Sequence, residues 1–140
     1  MLHSISLRPI GTVKNDIHER PETWKDVVSE IHIDPELEDA LSGIEEFSHL
    51  LIIFYFHLSS ECPLKLHPRG NPDLPLTGVF ATRAPMRPNP IGASIVELLT
   101  VSGNVLTVKG LDTYDSTPVL DIKPHLSDHP PERLPSWVNR

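Results

Sequence analysis

Three prolines fall within six residues, at Pro85, Pro88 and Pro90, inside the stretch Gly78 to Gly92 that reads GVFATRAPMRPNPIG. Each proline ring fixes φ, removes a hydrogen-bond donor and pushes the residue before it toward extended backbone. Ala84, Arg87 and Asn89 are those preceding residues. Covalent geometry therefore stiffens this loop. Fifteen prolines in 140 residues, most of them from residue 63 onward, extend the constraint through the second half of the chain. Long helices are excluded there, which leaves short strands joined by ordered loops. A stiff loop carrying Arg83 and Arg87 suits a fixed anion or polar ligand. The same residues also fit a rigid connector with two solvated arginines. Glycines at both ends and the apolar run that follows favour the functional reading.

Hydrophobic patterning fills in the frame. Residues 5–14 alternate apolar and polar and predict a first strand, bent at Pro9 and Gly11. Residues 29–33 predict a second. Residues 34–43 carry a capping Asp34, Pro35 at the first helical position, acids in the first turn and a closing Gly43, the start and stop signals of a short helix. Residues 48–56 are the most apolar run and predict a buried central strand. Residues 59–77 read as a loop, long enough to suggest function. Residues 91–101 and 105–108 predict a hairpin around Ser102, Gly103 and Asn104. Two further short strands are predicted at 111–114 and 119–122, and the tail 124–140 as mostly coil on the surface. The expectation is one domain over 1–140, mainly β: a single β-barrel of about six to eight short strands with one short helix and long ordered loops. No strand runs into a Gly-rich turn and a long helix, so a Rossmann-type site is excluded.

Composition narrows the function. At 39% hydrophobic and 22% charged residues the chain can bury a core. Its net charge of −7 is wrong for non-specific nucleic-acid binding, so a nucleic-acid partner needs a local basic patch, for which Lys65, Arg69, Arg83 and Arg87 are available. No run of about 18 apolar residues suggests a membrane span, and no secretory signal is visible. The single Cys62 forms no internal disulfide and suits a reducing compartment, so a cytoplasmic protein is expected. Eight histidines without HExxH spacing, and one cysteine, predict no metal site. Cys62 precedes Pro63 and has no evident base, and no G-x-S-x-G is present, so nucleophilic catalysis is poorly supported. Asp112, Asp115 and Asp121 lie beside predicted turns. Such carboxylates bind ribose or amine groups or act as a base; equally, Asp115 and Thr117 cap a turn and Asp121 pairs with Lys123 on the surface. His49 reads as a core histidine.

The block Gly78–Gly92, the run Asp115–Pro124 (DSTPVLDIKP), the early Pro9-Ile10-Gly11 and the stretch Gly43–Leu50 (GIEEFSHL) together closely resemble the TsaA/TrmO-like (YaeB-like) family, in the same order and over nearly the whole chain. The resemblance implies a β-barrel methyltransferase that uses S-adenosylmethionine. Its characterised bacterial members N6-methylate threonylcarbamoyl-adenosine next to the anticodon of a threonine tRNA. It also implies a homodimer with the cofactor near the dimer interface. Carried over residue by residue, it implies cofactor contacts at His57, Leu58, Arg83, Ala93, Lys109, Gly110, Leu111 and Asp112, several through backbone. Arg87, Asn89 and Asp115 are then expected to face the acceptor as catalytic residues. The chain departs from the pattern in four places. A Pro-Arg-Gln element of many bacterial members has no clear match in residues 17–24, and Leu58 stands where Gln occurs. Ser116 replaces a usual Gly, and His125 replaces a usual Tyr. The sequence is also expected to lack the C-terminal domain of longer relatives. Two other functions fit: a regulatory module that binds S-adenosylmethionine without transfer, and a methyltransferase for a small molecule or protein.

Overall fold

In the computed structural model, residues 3–126 and 129–139 are described. Among the described residues eight strands form: β1 (Gly11–Lys14), β2 (Val28–Ile33), β3 (His49–Tyr55), β4 (Lys65–Leu66), β5 (Thr77–Gly78), β6 (Ile91–Ser102), β7 (Val105–Lys109) and β8 (Pro118–Pro124). Six of them close a barrel in the order β1-β2-β7-β6-β3-β8, with β8 pairing back onto β1. Every pairing is antiparallel. β4 and β5 make a separate two-stranded ribbon. The fold is the mainly-β barrel expected.

Strand alternation fills the interior. On β3, Leu50, Ile52 and Phe54 are at most 1% exposed, while Tyr55 on the other face is 41% exposed. This strand is central, between β6 and β8, but buried on one face only, because a barrel has a single inside. Val13, Ile31, Val96, Leu106, Val108 and Val119 complete the same core. Burying each such side chain is worth about 1.5–3 kcal/mol.

Besides the β4–β5 ribbon, which occupies part of the span read as a loop, three elements differ from the sequence reading. The first strand begins only at Gly11, and Ile5 and Leu7 stay exposed. Alternation alone makes no strand where no neighbouring edge is offered. Residues 111–114 are not a strand: Gly110 takes φ 94° and turns the chain off β7, and Leu111 and Thr113 are buried in the loop that follows. Thr113 Oγ1 and Thr117 Oγ1 share a hydrogen bond at 2.8 Å there. The short helix is 3₁₀, over Pro35–Leu41. Asp34 Oδ1 accepts the Glu36 N–H at 3.1 Å, and Leu37, Leu41 and Ile44 pack against the barrel core. Seven residues are too few to sustain an α-helix without such anchoring.

Antiparallel order decides where function can sit. The β1–β2, β3–β6 and β7–β8 connections all leave the barrel at one end, and the β2–β3 connection and the β6–β7 turn leave at the other. The proline loop, the His57–Leu58 pair and the Asp112–Asp115 stretch therefore meet, although up to 58 positions separate them (57 to 115).

Candidate functional site

The connections converge on a cavity of about 1320 Å³. Drug-sized ligand pockets usually span about 300–1,000 Å³, so the space accommodates more than one small group. Phe56, His57 and Leu58 follow β3 directly into its wall. Arg83 and Met86 come from the proline loop, Asp112 and Tyr114 from the β7–β8 loop, Arg20 and Trp24 from the β1–β2 loop, and Lys65 and Arg69 from the ribbon excursion. Four cations (Arg20, Lys65, Arg69, Arg83) face two carboxylates (Glu61, Asp112) around this cavity, the reverse of the overall charge.

The two arginines of the proline loop have separate tasks. Arg87 Nη1 donates to the carbonyls of Thr82 at 2.9 Å and Ala84 at 3.0 Å. Those carbonyls have few local donors because prolines supply none. Arg87 is thus a brace inside the loop and is not in the cavity wall. Thr82 Oγ1 adds a bond to the Val79 carbonyl at 2.8 Å, and Ser59 Oγ ties the loop through the Pro85 carbonyl at 3.0 Å. Arg83, held by this frame, is exposed to the cavity.

Asp112 lies in the same wall. The cavity leaves it open to solvent, but the surrounding protein desolvates its carboxyl and pushes its pKa above the usual 3.8, against the Ser94 hydroxyl, its own backbone N–H and the charge of Arg83. A titratable group shifted by burial beside a cation, in a large concavity, is a functional-site candidate.

Asp115 is shifted the other way. Its Oδ1 accepts the N–H of Asn15 at 2.8 Å and of Asp16 at 3.2 Å, and Ser116 Oγ donates to Oδ2 at 3.2 Å. These bonds, chiefly those from Asn15 and Asp16, hold the carboxyl below 3.8. Asp115 therefore joins two loops rather than capping its own turn. A lowered pKa stabilises the fold fully above 3.8, and that contribution is lost as pH falls through 3.8 toward the folded value. Asp115→Asn is expected to cost about 1 kcal/mol at neutral pH, with the stability gap closing in acid. Denaturant melts at two pH values check this; an equal loss at both pH values would contradict it.

Of the residues expected to hold a cofactor, His57, Leu58, Arg83 and Asp112 share the cavity wall. Ala93, Lys109, Gly110 and Leu111 do not. Ala93 points outward from β6, Lys109 lies 3.9 Å from Asp26 Oδ1, and Leu111 is fully buried in the core. Asn89 is exposed on the proline loop, outside the wall, its carbonyl accepting the Ile91 N–H at 2.7 Å. Sequence reasoning missed Arg20, Trp24, Tyr114 and Trp137. The chain has only two tryptophans, both in proline-flanked loops, and that was the available signal. Trp24 packs edge-on against Tyr114 with ring centroids 5.5 Å apart. Among the described residues, one trio with metal-ligand spacing occurs, Asp16, His18 and Asp115, within 4.8 Å of one another. A smaller cavity of about 350 Å³ lies at the opposite end. Three of its polar side chains are engaged elsewhere: His32 pairs with Glu30 at 2.8 Å, Asn104 Nδ2 donates to the Ile33 carbonyl at 2.6 Å, and Asp34 Oδ1 accepts the Glu36 N–H.

Residues 10–129 match the tRNA-methyltransferase O N-terminal domain. The chain belongs to the TrmO family. A probable S-adenosyl-L-methionine-binding protein of Methanothermobacter thermautotrophicus is 43% identical over 129 residues, covering 89% of this chain and 92% of that one. A tRNA (adenine(37)-N6)-methyltransferase of Mus musculus is 45% identical over 95 residues, 66% of this chain and 22% of the mouse protein. The crystal structure of TrmO from Pseudomonas aeruginosa superposes with a TM-score of 0.77 at 31% identity, covering 97% of this chain and 63% of that chain. This member of the TrmO family thus spans less than two thirds of the solved TrmO structure.

Proposed function

We propose that the protein is a methyltransferase that binds S-adenosylmethionine in the barrel-end cavity and methylates an adenine N6 in tRNA, with threonylcarbamoyl-adenosine next to the anticodon of a threonine tRNA as the acceptor. The observation that carries this reading is the placement of Arg83 and a desolvated Asp112 in one large, locally basic cavity. The donor set fits the cofactor. A guanidinium suits its carboxylate, a carboxylate suits its cationic end, and Phe56, Leu58 and Met86 suit its apolar parts. Bound there, the cofactor supplies a methyl group on a cationic sulfonium. The protein's own task is positioning, together with removal of a proton from the attacking nitrogen. Asp112, in the wall and shifted upward, is better placed to accept that proton than Asp115, whose lone pairs are engaged. Asn89 is the exposed residue of the loop left for the acceptor side. Lys65 and Arg20 suit tRNA phosphates. The relatives' names support cofactor and acceptor class alike.

The reading includes a homodimer. Tyr55, Ile91 and Ile95 are 41%, 38% and 52% exposed and form one apolar stripe on the outer face of β3 and β6, bounded by the His49–Glu97 pair. Ala93 sits in that stripe, opposite Ile53, so any cofactor contact it makes serves a partner's cavity. A second copy covering the stripe gives a dimeric mass in sedimentation; a monomer at micromolar concentration contradicts it. No helix among the described residues is long and apolar enough to cross a membrane, and we place the protein in the cytoplasm with its tRNA.

Binding without transfer is the second reading, favoured by relatives named for binding alone. Incubation with methyl-labelled S-adenosylmethionine and total tRNA separates the readings. Label in tRNA is expected. Label in a small molecule or protein, or tight binding with no transfer, overturns it.

A further inference from the structure

The tail returns to the cavity from beyond the family domain, whose match ends at residue 129. Leu134, Trp137 and Val138 contribute to the wall. Arg69 fastens this segment, with Nη1 donating to the Val138 carbonyl and Nη2 to the Trp137 carbonyl, each at 3.2 Å. Both carbonyls belong to the short 3₁₀ turn Ser136–Asn139, too short to supply its last carbonyls with partners of its own. Arg69 makes these bonds from a backbone φ of 57°, a conformation uncommon for a residue with a Cβ. The tail is therefore docked by its main chain, from a position the ribbon excursion is bent to provide.

Main-chain docking leaves the Trp137 ring without a structural duty of its own. It is half-buried in the cavity wall, and among the described residues its indole makes no hydrogen bond and no ring pair. Trp24, in contrast, is packed edge-on against Tyr114. A large flat apolar face that is neither core nor paired, in a locally basic cavity, has the chemistry of a stacking platform. We propose that Trp137 stacks on a purine ring bound in this cavity, with Arg69 positioning it. This rests on the methyltransferase reading above, in which cofactor and acceptor nucleoside both carry an adenine ring.

The test follows Trp137 emission in a Trp24→Phe background, where it is the only tryptophan. S-adenosylhomocysteine is titrated first and unfractionated tRNA second, with calorimetry in parallel. A change with S-adenosylhomocysteine assigns the stacked ring to the cofactor; a change with tRNA alone assigns it to the acceptor. Either supports the proposal. If calorimetry registers binding while emission stays constant with both, the stacking proposal fails and the methyltransferase reading stands. If neither probe binds, that reading fails and the proposal with it. In parallel, Trp137→Ala is expected to weaken the responding probe by about five- to a hundredfold, with Trp137→Phe restoring most of the affinity. Arg69→Ala is expected to reproduce the loss. A wall that served only packing would lower Tm in Trp137→Ala and leave affinity unchanged.

Discussion

Arg83→Ala is expected to weaken S-adenosylhomocysteine roughly a hundredfold in calorimetry while the variant melts within a few degrees of wild type. The guanidinium is exposed to the cavity and, among the described residues, makes no hydrogen bond that holds the loop; Arg87, Thr82 and Ser59 make those. Removing Arg83 therefore leaves the frame standing. What is lost is a charge-assisted contact in a partly desolvated site, on the order of 3 kcal/mol. Arg83→Lys keeps the charge but not the planar fork and is expected to recover only part of the affinity. Asp112 responds as well, because Arg83 is one of the groups holding its carboxyl down. Without Arg83 its pKa rises further. Binding of a cationic cofactor then weakens at a higher pH as the solution is acidified, since the protonated carboxyl attracts no cation. Unchanged affinity in Arg83→Ala contradicts this placement of the cofactor.

Gly92→Ala carries the largest expected cost to the fold itself. A Cβ at Gly92 would stand 2.5 Å from Phe54 Cε2, 2.6 Å from Phe54 Cζ and 2.8 Å from Phe56 Cζ. These rings meet edge to face with centroids 5.1 Å apart, and Phe54 is 1% exposed and has no free space to retreat into, so the strain is relieved only by pushing Phe56 into the cavity. Overpacking of this kind costs about 1–3 kcal/mol, a Tm lowered by roughly 3 to 10 °C for a chain of this size. The effect reaches the site, because Phe56 lines the cavity and its displacement changes the wall beside His57. Affinity for S-adenosylhomocysteine is expected to fall along with Tm. A variant as stable as wild type would show that the barrel yields at this point. The glycine closing the proline-rich block is thus explained by packing under two aromatic rings.

What could be read in advance was what is local. Proline geometry at 85, 88 and 90 acts on adjacent residues, so the stiffness of the loop was legible, as were the six barrel strands that alternate against a core. The division of labour between Arg83 and Arg87 was not. It depends on which carbonyls the folded loop brings within 3.0 Å of a guanidinium. Asp115 was legible as a turn residue, but its actual partners lie about a hundred positions away at Asn15 and Asp16. Residues 111–114 carry strand-like residues yet fold as a buried loop, because β8 already closes onto β1 and no edge is left. Trp137 was hidden by its proline-rich surroundings, which read as coil and, among the described residues from 129 on, are coil apart from one short turn, anchored by an arginine 68 positions earlier.

A crystal structure of the protein with S-adenosylhomocysteine tests the central claim most directly. The ligand is expected in the barrel-end cavity, its carboxylate on Arg83 and its cationic end toward Asp112. Density in the small cavity beside His32 and Asn104, or a ligand in the large cavity that touches neither Arg83 nor Asp112, would contradict the account.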